Sequence, residues 1–465
     1  MKRGTSLRAP AIFLAAVFAL GDLVFAGGPL GVTGPAAPQQ GAPFTWDPAA
    51  MPIQYTVDSG PLSTDPTGRV VIDNATGLAR VASMFQAWQS VPTAAISFSY
   101  AGAISVPGLP ANPDIKSVAD YNAVLTACHN GTQTPVIFDA NGAIRAGLGI
   151  DPGVIGFAGI CKVNATTGHI ISALVLLNGE FQDGVFDGVS NYELTADEFD
   201  QAITHELGHF SGLDHSQINV EVLMQAVLSC NPDDVAGLPL MFPFFYCQTR
   251  VSLGLPKLAP DDMAWISKLY PGNSYASNYG TISGVILFSD GITPVQGINV
   301  IARRVDDPST PQDESKTTAV SVVSGYRFTG NPGQPFSGTN TSGSPYGSRD
   351  PALIGYFEIP VPPGTYTVQV ENINSAFLGS SSVGPLSLPY MVYANKYWHQ
   401  YESAYDDQSQ KDPITVGGGQ TVSGINIILN DTPPRFDQYE DGMLRWPWQL
   451  LHRLWARVID HRDAG

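Results

Sequence analysis

Apolar and polar positions repeat with two different periods along this chain, and the change of period divides it. Across residues 196–210, Phe199, Ala202, Ile203, Leu207 and Phe210 recur three and four apart, which predicts a helix with one buried stripe. Thr195 with Glu198 three residues on is a capping-box pair that would start it. Residues 153–159 (GVIGFAG) and 169–178 (HIISALVLLN) are short apolar runs bounded by turn residues and predict strands. Beyond Pro271 the helical period gives way to alternation. Residues 280–288, 297–304, 356–361, 364–370 and 425–429 are β-rich runs separated by Gly, Pro, Asn and Asp, a pattern that predicts an all-β sandwich of about seven antiparallel strands over 278–431. Residues 330–351 read as a Gly/Ser/Pro/Asn loop. In the tail, 432–465, Trp448, Leu451, Trp455 and Val458 would line one side of a helix over 443–459, with Arg445, Arg453 and Arg457 elsewhere. Such a basic aromatic helix suits a membrane surface, a partner protein or the chain's own domains.

The first residues change the picture. Lys2, Arg3 and Arg8 precede a twelve-residue uncharged run, 9–20, too short to span a bilayer, and Val24-Phe25-Ala26 offers a small-residue cleavage site. Residues 1–26 therefore read as a signal peptide and the product as secreted, although Asp22 leaves cleavage after Gly21 open. Residues 27–45, rich in Gly, Pro and Ala, read as a flexible linker. A length of 465 residues predicts two or three domains. The net charge is −18, and loss of residues 1–26, with three bases and one acid, leaves 20 basic against 40 acidic residues, a net −20. Such a surface repels nucleic acid and anionic membranes.

The candidate chemistry lies in His205-Glu206-Leu207-Gly208-His209-Phe210-Ser211-Gly212-Leu213-Asp214-His215. Residues four apart share a helix face, so His205 and His209 can present two imidazoles to one metal while Glu206 leans toward the same pocket. Gly212 can adopt the left-handed conformation that reverses the chain, bringing His215 back as a third ligand and leaving a fourth position for water. That open position distinguishes a catalytic zinc site from a structural one. Gly208, costly inside a helix by about 1 kcal/mol against Ala, reads as room for close backbone approach beneath the metal. His129 and His169 are candidates for a structural metal, but a lone histidine is more commonly a surface or hydrogen-bonded residue.

This is the elongated HExxHxxGxxH motif, and the chain resembles the metzincin zinc endopeptidases, within them the matrixin-like group. Residues 46–58 (WDPAAMPIQYTVD) look like the family's first strand, 75–91 like its first long helix, 95–100 like its second strand, and 258–271 (LAPDDMAWISKLYP) like its closing helix, with Asp261 and Asp262 in the first turn as the helix dipole favours. The resemblance implies an α+β catalytic domain over 46–273, a mixed twisted sheet with long helices, and one catalytic Zn2+ held by His205, His209 and His215. It implies that Glu206 is the general base that activates water, and that 169–178 is the edge strand pairing with an extended protein or peptide substrate. The family's methionine turn has two candidates. Met241, in Leu240-Met241-Phe242-Pro243, is preferred for its stopping proline, and Met224, at a more compact spacing, is the runner-up. No tyrosine follows either where astacin-like relatives place an extra ligand, so three histidines and water are expected.

Four cysteines allow three pairings. Cys230–Cys247 is favoured because it closes a 17-residue separation around Met241, contributing about 3 kcal/mol by loop closure, and Cys128–Cys161 is then the second pair. A thiolate latch on the metal is the competing idea, but 27–45 holds no cysteine. Phrases such as Gly284-Val285-Ile286 and Pro363-Gly364-Thr365-Tyr366 resemble the carboxypeptidase-regulatory-like β-sandwich often appended to exported enzymes, read here as a spacer or a binding module. Every candidate ligand, the base and all cysteines fall inside 46–273, so that span is expected to cut a short peptide alone. A surface adhesin or binding protein that keeps a silent protease fold is the rival reading, as is a zinc hydrolase acting on other bonds.

Overall fold

The chain builds several sheets and few helices, a mixed architecture compatible with an α+β class. The computed structural model describes residues 12–13, 28–186, 193–224, 231–245, 248–310, 313–328, 347–373 and 395–432. Most of the predicted signal peptide, most of the loop over 330–351 and the predicted helix over 443–459 lie outside these residues. No helix among the described residues is long and apolar enough to cross a membrane.

A six-stranded sheet dominates the first half. Its strands are β1 (Thr45–Trp46), β2 (Ile53–Val57), β3 (Phe98–Ala103), β4 (Pro135–Asp139), β5 (Gly156–Val163) and β6 (His169–Asn178), in the order β1–β6–β4–β2–β3 with β5 also paired to β6. All pairs are parallel except β5 with β6. The expected single strand over 46–58 is broken, because the Asp47 side chain accepts the Ala49 N–H and starts a short turn at Pro48–Ala50 before β2. Helix α1 (Asn74–Gln89) is capped by Asp73 and buries Val81, Met84, Phe85 and Trp88, a three- and four-residue spacing that makes one apolar stripe. Helix α2 (Val118–Asn130), capped by Ser117 and ended by Gly131 in the left-handed conformation, and strand β4 were not foreseen from the sequence. Helix α3 (Ala196–Phe210) begins with the Thr195–Glu198 box and is buried along its second half. Helix α4 (Pro260–Leu269) follows.

The second half has two sheets. Their strands are β7 (Gly280–Leu287), β8 (Asn299–Arg304), β9 (Ala319–Val323), β10 (Tyr356–Val361), β11 (Gly364–Glu371), β12 (Lys396–Tyr397), β13 (Ile414–Val416), β14 (Thr421–Val422) and β15 (Ile427–Ile428). One sheet runs β10–β7–β14 with β15 also on β7, the other β9–β8–β11–β12 with β13 also on β11. Pairing is not wholly antiparallel as expected, since β14 and β15 run parallel to β7.

Much of the expected flexible linker is instead buried, although residues 35, 36, 38 and 39 are exposed. Leu30, Val32 and Phe44 are each at most 2% exposed, and the Leu30 N–H donates to Gly212 O at 2.7 Å while Gly28 O accepts from Asp214 N–H at 3.0 Å. Glycine and proline content suggested flexibility, but three apolar side chains give this strap enough surface to bury. It also reaches the second half, where Arg327 Nε donates to Gly41 O at 3.0 Å.

The two halves are not separated by a linker. One apolar core runs through both, joining Trp88 and Phe210 to Trp265, Val322 and Tyr326. Strand β9 lies at the edge of its sheet, and α4 satisfies that edge: Asp261 Oδ1 accepts the Ser321 N–H at 2.9 Å and Trp265 Nε1 donates to Ser321 O at 2.8 Å.

Candidate metal centre

Three imidazoles meet where α3 ends. Gly212, at φ +91°, turns the chain back, with Gly212 N–H bonded to His209 O at 2.9 Å and Leu213 N–H to Gly208 O at 3.0 Å. The reversal is clamped from outside. Trp46 Nε1 donates to Phe210 O at 2.9 Å, and the Tyr270 hydroxyl donates to Ser211 O at 2.6 Å. His215 then faces the helix, its ring centroid 4.6 Å from that of His209 and 5.1 Å from that of His205. The candidate ligand atoms of all three lie within 4.8 Å of one another.

Tautomers follow from the backbone. His205 Nδ1 lies 2.8 Å from Leu240 O and His209 Nδ1 2.9 Å from Leu213 O, and a carbonyl can only accept, so both Nδ1 atoms carry the proton. Their Nε2 lone pairs therefore point inward. His209 Nε2 is 3.1 Å from His215 Nε2, and two nitrogens each about 2.1 Å from one tetrahedral ion would stand about 3.4 Å apart. Burial lowers the pKa of His205 to about 4 and, with the neighbouring His205, that of His209 to about 3, so both rings are neutral at pH 7. Buried neutral imidazoles with converging lone pairs, and with His205 Nε2 lacking a hydrogen-bond partner, fit a cation such as Zn2+.

Glu206 is 1% exposed and neither carboxylate oxygen has a hydrogen-bond partner. Desolvation pushes its pKa well above the usual carboxylate value. It packs beside β5, where a Cβ on Gly156 would lie 3.1 Å from Glu206 Cγ. The strand next to the site and at the sheet edge is therefore β5, not 169–178 as expected. β6 is held on both sides, by β4 and β5, because strand order is set by pairing across the fold that periodicity does not encode. The disulfide Cys128–Cys161 ties this edge strand to α2.

Beneath the three histidines sits Met241, 2% exposed, its sulfur against Gly208. Asp262 holds the turn by accepting the N–H groups of Leu240 at 2.8 Å and Met241 at 3.0 Å, and Leu240 O in turn orients His205. The Asp262 role was missed from the sequence, where the acid pair at the start of α4 suggested only a helix-dipole effect. Met224 closes a short turn, Val220–Met224, and its side chain lies outside the described residues, as does the expected Cys230–Cys247 pair. His129 and His169 do not join any group of metal-ligating side chains found among the described residues. In a second such group, His399, Glu402 and Asp406, both carboxylates already pair with buried Lys396, whose Nζ lies 3.0 Å from Glu402 and 2.6 Å from Asp406.

The sequence matches no family model, and comparison with curated proteins finds no similar sequence.

Proposed function

We propose that this chain is an exported zinc endopeptidase of matrixin-like metzincin type, with His205, His209 and His215 as ligands and Glu206 as general base. The observation that carries the reading is the pairing of three convergent ring nitrogens with an adjacent, fully buried and unpaired carboxylate. Zn2+ held by the three histidines would supply Lewis acidity, acidifying a water beside it and polarising a peptide carbonyl. Leu240 O and Leu213 O keep the His205 and His209 rings in one tautomer and orientation. Glu206, free of other partners and held protonated by burial alone, would ionise beside the bound dication, take a proton from the attacking water and return it to the departing amine. The outer edge of β5 offers backbone N–H and C=O groups to an extended peptide, which favours cleavage within a chain rather than at its end.

A protein that kept the fold as a silent binding module would have no use for a carboxylate whose burial is uncompensated, and this favours the enzyme over the adhesin. The export reading rests on residues 1–26 and on the disulfide, which persists in oxidising compartments. Digestion of casein by the purified protein, with and without a chelator, tests the proposal: chelator-sensitive cleavage restored by zinc is expected, and cleavage indifferent to chelator would sink it.

A further inference from the structure

Two of the three histidines ride on α3, but His215 is carried by a loop, and the question is what holds that loop. Residues 216–219 follow it and are no more than 2% exposed. Buried loop backbone and polar side chains must find partners. Only part of the support comes from the first half, where the Ser216 N–H donates to Met241 O at 2.8 Å.

The rest comes from the C-terminal sheets. Ile218 forms a small buried cluster with Ile301 of β8 and Ala319 of β9. Asn299 Nδ2 donates to Gln217 O at 3.4 Å. Arg303 of β8 donates from one arm to Asn219 Oδ1 at 2.6 Å and from the other to Glu371 Oε1 of β11 at 3.1 Å. Asn219 uses its own amide as well, donating to Gly237 O at 2.8 Å and Lys316 O at 3.3 Å. It adopts φ +58°, a left-handed conformation that asparagine tolerates, so the chain bends sharply where the sheet grips it.

We infer that the C-terminal sheets are a built-in support of the metal centre, in which Arg303, through Asn219, is a positioning residue for His215. The inference rests on the three-histidine reading proposed above. The segment between His215 and Met241 does not merely lengthen the loop: it carries residues 216–219 into the face of β8 and β9, and Asn219 ties that face to the segments at Gly237 and Lys316. The strap holds the other side, since Gly28 O accepts the Asp214 N–H at 3.0 Å. His215 is thus fixed between two anchors, neither of them on α3, and the second half of the chain is neither spacer nor separable module.

The test uses the full chain and reads metal binding. Zinc affinity is measured by competition with a chromophoric chelator, and the ligand field by the visible absorption of the Co2+-loaded protein. Asn219→Gly keeps the backbone conformation accessible while removing every side-chain tie at that position. It should weaken zinc binding about tenfold and alter the cobalt band, the size usual for loss of support behind a ligand. Arg303→Lys keeps the charge beside Glu371 but not the fork and should show the same shifts to a smaller degree, and it carries the test should Asn219→Gly not fold. Tyr405→Ala, at a side chain 95% exposed, should change neither. Wild-type affinity and an unaltered cobalt band in both Asn219→Gly and Arg303→Lys would overturn the inference while leaving the metal centre intact. Failure of the wild-type chain to bind one zinc would instead overturn the metal centre itself.

Discussion

The sulfur of Met241 occupies the space that a side chain on Gly208 would enter. A Cβ built at 208 would overlap Met241 Sδ and approach Trp88 Cζ2 to 2.9 Å. Gly208 stands between two candidate ligands on α3, so contact between helix and turn is what lets the imidazoles sit directly over the methionine.

This contact sets two effects against each other in Gly208→Ala. Helix propensity favours alanine by about 1 kcal/mol. Overlap with a buried sulfur and a buried indole costs about 1–3 kcal/mol. A net loss of stability is expected, together with weakened zinc binding, measured by denaturant midpoint and metal content. A stabilised variant would show that α3 and the turn are not in close contact.

Separation of the halves should fail. A fragment of residues 46–273 keeps every candidate ligand but exposes Trp265, 1% exposed in the whole chain, and leaves the buried Asp261 without the Ser321 N–H. It also lacks the strap that binds Gly212 and Asp214. The expected outcome is an unfolded or aggregated 46–273, against a chain of 28–432 that folds with a cooperative melt. A soluble, zinc-loaded 46–273 fragment that cuts a short peptide would restore the separable domain expected from the sequence.

Stability should depend on pH through Asp261. Burial, with the negative charge of Asp262 beside it, pushes its carboxyl up to about 8. An unfolded aspartate titrates near about 3.9, so between about pH 4 and pH 8 the unfolded chain has released a proton that the folded chain keeps. That group's contribution therefore falls as pH rises through this window. Asp261→Asn keeps an acceptor for the Ser321 N–H and cannot ionise. Its stability relative to the wild type, from denaturant midpoints, should rise from pH 5 to pH 8; a constant difference would contradict the raised pKa.

The disulfide spans 33 residues and holds the edge strand β5 to α2. Loop closure assigns it about 4 kcal/mol. Cys161→Ser should lower the unfolding free energy by about that amount, and non-reducing peptide mapping of the wild type should return Cys128 joined to Cys161. A different partner for Cys128 would mean that β5 is anchored otherwise.

Local signals were legible in the sequence and distant pairings were not. Helix α3 could be read at both ends, from Thr195 and Glu198 to Gly212, because caps and reversals are written in adjacent residues. Helix α2 carries the same kind of signal, Ser117 before it, Asp120 in its first turn and Gly131 after it, but its buried face is made of small and mixed residues, Val124, Ala127 and Cys128 beside Tyr121, and shows no clear apolar stripe. Strand β9 is buried at all five positions, so its face shows no alternation to read. The candidate ligands were legible because they lie within eleven residues of one motif. Their supports were not, since Leu240, Asp262 and Arg303 reach the site only through the fold.

The central claim is that Glu206 moves the proton and does not hold the metal, and Glu206→Gln tests it most directly. The amide keeps the volume of the buried side chain and removes the base. Zinc content should stay at one per chain while peptide cleavage falls by about 10²–10⁴-fold, the loss usual when a positioned base is removed. A variant that retains zinc and cuts peptide at a rate within tenfold of the wild type would contradict the account.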